Sequence, residues 1–266
     1  MRSTQPGSGD GEGQSYLVSV SDLMSSLVFI FIITIVVFAL RLQRARAQLQ
    51  DTRTQLTSAQ ETRAHLLEAL RDRLTVSGIA VEIDPTQGVL RLTENAVPFP
   101  LAEDQPVPQA GATLRRLALT LDEILPCFTA STRSSPERRD GCLRFADPTR
   151  HASNVDVLLI EGHTDSRRLS GGRRFEDNLE LSGARAAAVW RILNREAPGL
   201  ADLRNRSGLK ILSISGYADQ RPLVTADPLA DANRRIDLRF VMEPPNEDAQ
   251  PRAAAAARDR APGIIQ

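Results

Sequence analysis

The fold is decided by two neighbouring stretches, Val155-Asp-Val-Leu-Leu-Ile-Glu-Gly-His-Thr-Asp165 and Asn178-Leu-Glu-Leu-Ser-Gly-Ala-Arg185. The first begins with an apolar run, Val155–Ile160, which predicts a buried strand. The second begins a pattern typical of a helix, which we expect to extend from Asn178 to Ala197. Because strands that alternate with helices form layered domains, the fold class predicted is an α/β sandwich.

Further strands and helices lie on both sides of this pair. The turn residues Asp-Pro-Thr-Gln at positions 84–87 predict a hairpin. The predicted elements are hairpin strands at Ile79–Ile83 and Gly88–Leu92, a helix at Ala110–Leu125, a strand at Leu209–Ser215, a short helical turn from Asp231 and a strand at Ile236–Met242. We place them in one domain over residues 78–244, and we expect residues 1–14 and 245–266 to be disordered tails.

The domain contains the two cysteines of the chain, Cys127 and Cys142, which lie 15 residues apart in a polar region. In an oxidising compartment they are a disulfide candidate that would close a loop. The alternative is two unrelated free thiols. Their spacing does not fit a metal site, so we predict no metal and no cofactor.

The N-terminal part of the chain contains 18 residues without a charge, Leu23–Leu40. A helix over this part would be long enough to cross the roughly 30 Å core of a bilayer, so residues 15–40 are a predicted transmembrane helix. A carboxylate, Asp22, lies inside the predicted span. Because an intramembrane charge is costly, it indicates a functional site, and we predict that Asp22 handles an ion.

Helical spacing places Ser15, Ser19, Asp22, Ser26 and Phe29 on one stripe. Ser19 and Ser26 would line the path beside Asp22. The alternative is that Asp22 lies at the membrane interface and is solvated there. A cleaved signal peptide is a third interpretation, and the length of the apolar run and the acid within it argue against it.

Residues 41–77 follow as a polar helix without proline, in which Leu42, Leu49 and Leu56 repeat every seven residues. This repeat predicts a short coiled-coil stalk and therefore a homodimer, and the alternative is a single solvated helix. Arg41, Arg44 and Arg46 flank the span, so the positive-inside rule would place this side in the cytoplasm. The domain pattern argues for the opposite orientation, which we prefer.

Composition excludes some functions. The chain of 266 residues has 33 Lys and Arg against 33 Asp and Glu, so nothing indicates a nucleic-acid partner. Aromatic residues make up 4%, which is low for a cleft that stacks sugars. His163, Asp165 and Ser166 suggest a catalytic triad. However, they do not follow the chain order of base and nucleophile in known triads, and the nucleophile-elbow motif is missing. We therefore predict that the chain is not an enzyme.

Four motifs in the domain occur in a consistent order. They are Ile160-Glu-Gly-His-Thr-Asp165, Asn178-Leu-Glu-Leu-Ser-Gly-Ala-Arg185, Gly216-Tyr-Ala-Asp219 and Ala232-Asn-Arg-Arg-Ile236. Over roughly residues 79–243 the chain resembles the OmpA-like peptidoglycan-binding domains.

That resemblance implies a ligand and a set of site residues. The ligand would be the diaminopimelate side chain of peptidoglycan, with Asp165 binding its ammonium and Arg185 its carboxylate. Asn178, Asn233 and Arg235 would support the pocket. The alternative for Asp165 and Arg185 is a structural ion pair.

The loop between Asp165 and Asn178 departs from the pattern of that family, because it is longer than usual. Four extra arginines lie in it: Arg167, Arg168, Arg173 and Arg174. They could add contacts to anionic glycan strands, or they could obstruct the site.

An acid-bearing span, a stalk and a wall-binding domain in one chain resemble the MotB-type stator subunits of ion-driven rotary motors. The run Ser19–Thr34 is most similar to the ZorB subunits of Zorya anti-phage defence systems. The resemblance implies a homodimer inside five copies of a MotA-like (ZorA-type) membrane subunit, with Asp22 as proton carrier. It implies a bacterial inner-membrane protein with a cytoplasmic N-terminus and a periplasmic C-terminal domain. A flagellar MotB-like stator and a static cell-wall tether are the alternatives.

Overall fold

A computed structural model of the chain describes residues 11–92, 95–130, 142, 145, 153–169 and 174–243, with side chains from residue 20 onward. The chain divides into two compact units, Met1–Arg53 and Thr54–Gln266. The predicted C-terminal tail lies outside the described residues, as does most of the region between Cys127 and Cys142.

Helix α1, Gly11–Val76, supplies the described part of the first unit. It begins earlier than expected, since Gly11–Gln14 were predicted to be disordered and are helical. Two hydroxyl groups donate to the backbone one turn earlier, Ser25 to the carbonyl of Ser21 and Thr34 to that of Ile30, each at 2.8 Å. Such bonds satisfy hydroxyls in apolar surroundings. Within the described residues, one helix is long and apolar enough to cross a membrane.

The second unit is built on a five-stranded sheet in the order β1-β2-β5-β3-β4. Its strands are β1 (Glu82–Asp84), β2 (Val89–Leu92), β3 (Val155–Gly162), β4 (Leu212–Gly216) and β5 (Ile236–Met242). The pair β3–β4 is parallel, and the other neighbours are antiparallel. The predicted hairpin is therefore present as β1 and β2, although β1 is shorter than expected.

Two further helices pack on this sheet, α2 (Ala110–Ile124) and α3 (Asn178–Glu196). Helix α3 connects the parallel strands and contacts both of them, as a crossover helix does. Asp177 caps its start, since its side chain accepts from the amide of Glu180 at 2.8 Å. The mixed sheet with packed helices confirms the α/β fold class.

The C-terminal part of α1 belongs to the core of the second unit. Its leucines are fully buried in the main hydrophobic cluster: Leu66, Leu67, Leu70 and Leu74. Arg63 donates to the carbonyl of Thr86 in the hairpin at 2.9 Å, and Arg73 pairs with Glu123 of α2 at 3.0 Å. The compact unit thus begins at Thr54, well before the predicted stalk boundary at residue 78, because these leucines pack against the sheet domain.

A disulfide joins Cys127 to Cys142, with their Cα atoms 5.3 Å apart. Cys127 lies in a short 3₁₀ helix, Leu125–Phe128, directly after α2. The two cysteines are therefore disulfide-bonded, as the first of the two predicted alternatives has it. The bond closes a loop at the C-terminal end of α2.

Candidate functional site

The ends of β3 and β4 approach the first turns of α3 so closely that side chains would not fit between them. A Cβ atom on Gly162 would lie 2.0 Å from the carbonyl oxygen of Ser182, and one on Gly216 would lie 2.7 Å from the amide of Gly183. The hydroxyl of Ser182 also accepts from the amide of Ala218 at 3.0 Å. These contacts fix the helix that bears Arg185 against the strand that leads to Asp165.

Asp165 lies three residues after β3 and is 4% exposed. Its carboxylate forms an ion pair with Arg234 at 2.7 Å and lies 3.7 Å from Nε of Arg167. It also accepts from the backbone amide of Arg167 at 3.1 Å. Arg234 was not among the predicted site residues, although it lies inside the Asn-Arg-Arg motif beside Arg235.

Asn178 connects the start of α3 to the segment after β3. Its side-chain amide donates to the carbonyls of Asp165 at 3.2 Å and Arg167 at 3.0 Å. Two bonds to neighbouring carbonyls hold the turn that carries the Asp165 carboxylate. The structure therefore brings Asn178 and Asp165 together, as the motif predicts.

Arg185 lies on the second turn of α3 and is 2% exposed. Its guanidinium donates to the carbonyls of Glu103 at 2.9 Å and Pro100 at 3.1 Å. It also stands 4.9 Å from the ring centre of Phe99, in cation–π contact. Arg185 is thus engaged by the segment before α2, which the motifs did not predict.

Asn233 organises the loop that precedes β5. Its side-chain oxygen accepts from the amides of Leu223 at 2.8 Å and Val224 at 3.1 Å, and its amide donates to the carbonyl of Asp227 at 3.1 Å. These contacts are all with backbone atoms. Asn233 thus shapes the loop beside Arg234.

Arg235 lies in a buried charged cluster on the sheet. Its Nε donates to both carboxylate oxygens of Asp237, at 3.2 and 3.0 Å, and Arg91 contacts the same carboxylate at 3.3 Å. Glu161, fully buried, receives two bonds from Arg239, at 2.7 and 2.9 Å. Burial raises the pKa of Asp237, and the positive charges of Arg235 and Arg91 oppose that rise.

His163 lies inside this cluster and is 1% exposed. Its ring stacks on Tyr217, with the ring centres 5.4 Å apart, and Nε2 lies 3.5 Å from Asp237. Burial, and then the positive charges of Arg235, Arg221, Arg239 and Arg91, lower the pKa of His163 to about 3. Its imidazole is therefore neutral at physiological pH.

Glu161, His163 and Asp237 offer ligand atoms within 4.8 Å of one another, a grouping that could hold a metal ion. Both carboxylates are already paired with guanidinium groups of Arg91, Arg235 and Arg239. A divalent cation would have to displace these pairs and would enter beside three positive charges. The donor set therefore fits an ion-pair network better than a metal centre.

The arginines of the long loop differ in their surroundings. Arg167 and Arg168 are exposed, and Arg174 forms ion pairs with Asp104 at 2.9 Å and Glu103 at 3.6 Å. Arg173 lies outside the described residues.

The predicted ion-handling residues lie on helix α1, in the first unit. Asp22 and Ser26 are exposed there, and Ser19 is helical.

The chain thus contains an α/β domain, with a buried acid after strand β3 and a buried arginine on helix α3, and an apolar helix of membrane length. The chain matches no protein-family model and no curated protein.

Solved structures similar to it include a MotB-like protein from Desulfovibrio vulgaris, at 22% identity over 74% of this chain and 99% of that one, with a TM-score of 0.40. The periplasmic domain of Helicobacter pylori MotB is similar at 18% identity over 65% and 87%, with a TM-score of 0.38. The cell wall anchor of the T6SS from Pseudomonas aeruginosa is similar at 20% identity over 67% and 97%, with a TM-score of 0.39.

Proposed function

We propose that the chain is a peptidoglycan-anchored, stator-like subunit of a proton-driven rotary motor in a bacterial inner membrane. The observation that carries the proposal is Asp22, one carboxylate within an apolar helix that can span a bilayer. Protonation would remove the charge of the carboxylate, and loss of the proton would restore it. Asp22 would thus alternate between a neutral and an ionised state as protons cross the membrane. Ser26, one helical turn further, would line the same path.

The disulfide supports the proposed orientation. Because disulfides persist in oxidising compartments, the Cys127–Cys142 bond favours a periplasmic location for the sheet domain. The N-terminus would then be cytoplasmic. Arg41, Arg44 and Arg46 favour the reverse orientation by the positive-inside rule. We give more weight to the disulfide, because it lies within the folded domain, whereas the charge rule is statistical.

Exposed leucines on α1 support a homodimer. Leu42, Leu49 and Leu56 repeat every seven residues and are 41%, 62% and 49% exposed in the single chain. Such a stripe is covered when two helices pair in parallel. The proposed assembly is two copies of this chain within five copies of a MotA-like, ZorA-type subunit.

Asp165 and Arg185 support wall binding by the sheet domain. Diaminopimelate presents a zwitterion, and a zwitterion is recognised by one acid and one arginine held at a fixed separation. The close approach of Gly162 to Ser182 supports this proposal, because it holds the strand end and the helix start together. The anchored domains would hold the pair of Asp22-bearing helices still while the surrounding ring turns.

More specifically, we propose that the chain is the ZorB component of a Zorya anti-phage defence system. The sequence around Asp22 supports this assignment. A flagellar MotB-like stator is the second candidate. The third is a static cell-wall tether, in which Asp22 only pairs with a neighbouring helix.

The test is purification of the full-length tagged chain from its native membrane in mild detergent, with partner stoichiometry measured by mass. A multi-span partner at a ratio of about five to two is expected. Proton flux should be lost in Asp22→Asn and retained in Asp51→Asn, a matched change on the same helix beyond the span. Recovery of the chain without such a partner would favour the tether, and normal flux in Asp22→Asn would refute the role of Asp22 as proton carrier.

A further inference from the structure

The guanidinium of Arg185 is engaged by the chain itself. It donates to the carbonyls of Pro100 and Glu103, which belong to one tight turn, closed by a bond from the amide of Glu103 to the carbonyl of Pro100 at 3.1 Å. Peptide carbonyls carry partial negative charge. The turn therefore occupies Arg185 with the kind of group that a ligand carboxylate would present.

This turn lies within a loop, Pro98–Val107, that we call the strap. Its base is closed by a bond from the amide of Val107 to the carbonyl of Pro98 at 3.0 Å, and Phe99 near the base is 7% exposed. The tip is largely exposed, and Leu101 is 69% exposed. Ala102 has a φ of 58°, a conformation that is costly for residues other than glycine. The strap thus has an anchored base and a tip held in a strained turn.

A second arginine, Arg174, contacts the tip of the strap through ion pairs. Arg174 forms ion pairs with Asp104 at 2.9 Å and with Glu103 at 3.6 Å. Arg174 belongs to the long loop that follows Asp165, so the tip is tied to both sides of the proposed site. Arg174 is 58% exposed, so its contacts can exchange with water.

The other half of the site is also occupied. The carboxylate of Asp165 is paired with the guanidinium of Arg234 at 2.7 Å, so it already has a cationic partner of the kind that a ligand ammonium would provide. Both halves of a zwitterion are thus matched by groups of the chain. We propose that the strap is an autoinhibitory element, and that the wall ligand reaches Arg185 only after the tip of the strap lifts. This inference rests on the proposed wall-binding function and adds its regulation.

Two substitutions open the strap by independent routes and leave Asp165 and Arg185 intact. Arg174→Gln removes both ion pairs of the tip. Ala102→Val places a β-branched side chain at a positive φ, which disfavours the turn. Apparent affinity is proportional to the fraction of molecules whose strap is open. Each variant raises that fraction and should bind the wall about three- to tenfold more tightly.

The experiment is pelleting of the full-length chain, in detergent, with isolated peptidoglycan sacculi. Arg195→Gln is the matched control, since Arg195 is 69% exposed and pairs with Glu196 at the far end of α3. It should bind like the wild type. Tighter binding by both opening variants is the expected result, and fluorescence of Trp190, the single tryptophan, reports that each variant is folded.

Arg185→Lys and Asp165→Asn separate failure of the inference from failure of the proposed function. If these two weaken binding while both opening variants match the wild type, the strap is not inhibitory and wall binding by this site stands. If neither they nor the opening variants change binding, wall binding at this site is wrong and the inference falls with it.

Discussion

The buried histidine of the charged cluster makes the stability of the domain depend on pH. His163 is 1% exposed and its pKa is lowered to about 3 by burial and by four neighbouring arginines. The unfolded chain restores an ordinary pKa of about 6.5. Between these two values the unfolded state binds a proton at this residue that the folded state excludes, so stability falls as the pH falls.

The magnitude follows from this difference. Between pH 7.5 and pH 5 the histidine should cost about 2 kcal/mol of unfolding free energy, because protonation of the unfolded state is then nearly complete. Asp237 acts in the opposite direction, since its pKa is raised and the folded state takes up its proton more readily. That contribution remains in a variant of His163 and cancels in the comparison.

The substitution is His163→Phe, which keeps a ring beside Tyr217 and removes the titrating group. Urea unfolding of the full-length chain, followed by Trp190 fluorescence at several pH values, measures the effect. The wild type should lose about 2 kcal/mol more than the variant between pH 7.5 and pH 5. His65→Gln, at an exposed position on α1, is the control and should keep the wild-type dependence.

Equal pH dependence in the wild type and in His163→Phe would refute the reasoning. It would mean that the imidazole is protonated in the folded domain as readily as in the unfolded chain. Burial of the ring and the positive charges of the neighbouring arginines would then not disfavour the imidazolium in the folded domain.

Three further predictions concern the ion pairs, the disulfide and the wall site. Arg239→Gln leaves the buried carboxylate of Glu161 without its bidentate partner and should cost about 3–5 kcal/mol in urea unfolding; a loss below about 1 kcal/mol would contradict the pairing. Cys127→Ser should remove a faster-migrating oxidised monomer from non-reducing gels and cost about 3 kcal/mol, and an unchanged band would indicate free thiols. Asp165→Asn should lower the fraction of the chain that pellets with sacculi several-fold, and undiminished pelleting would place the wall site elsewhere.

The strands and helices of the domain could be predicted because burial imposes a period on the sequence. The last strand was predicted at its observed bounds, Ile236–Met242, since apolar residues recur at its core-facing positions. The boundary of the domain within α1 could not be found in this way. Leu66 and Leu70 form an apolar stripe whether a second helix or the sheet covers them.

The alternation along β5 contains a signal for the buried charged cluster. Arg235, Asp237 and Arg239 are two residues apart, so they lie on one face of the strand. The register places Asp237 opposite Arg91 of β2 and Glu161 of β3. A row of alternating charges at this spacing favours ion pairs across neighbouring strands, and it could have predicted the buried cluster.

The residues of the candidate site could be named from the sequence, but their partners could not. Arg185 bonds to the carbonyls of Pro100 and Glu103, and every residue has a carbonyl, so these acceptors have no signature in the sequence. Arg234 and Arg235 are adjacent and identical, yet one pairs with Asp165 and the other with Asp237. The two arginines lie just before β5, which begins at Ile236. Because successive side chains point in opposite directions there, the two arginines reach different partners.

These partners change what the site residues are expected to do. A carboxylate or guanidinium that stays buried must be paired, because an unpaired buried charge costs several kcal/mol. Asp165 and Arg185 are therefore satisfied by Arg234 and by the strap when no ligand is bound. A zwitterionic ligand would replace these internal partners one for one. Binding would then exchange contacts instead of adding them, so the affinity for the wall should depend on how firmly Arg174 holds the strap.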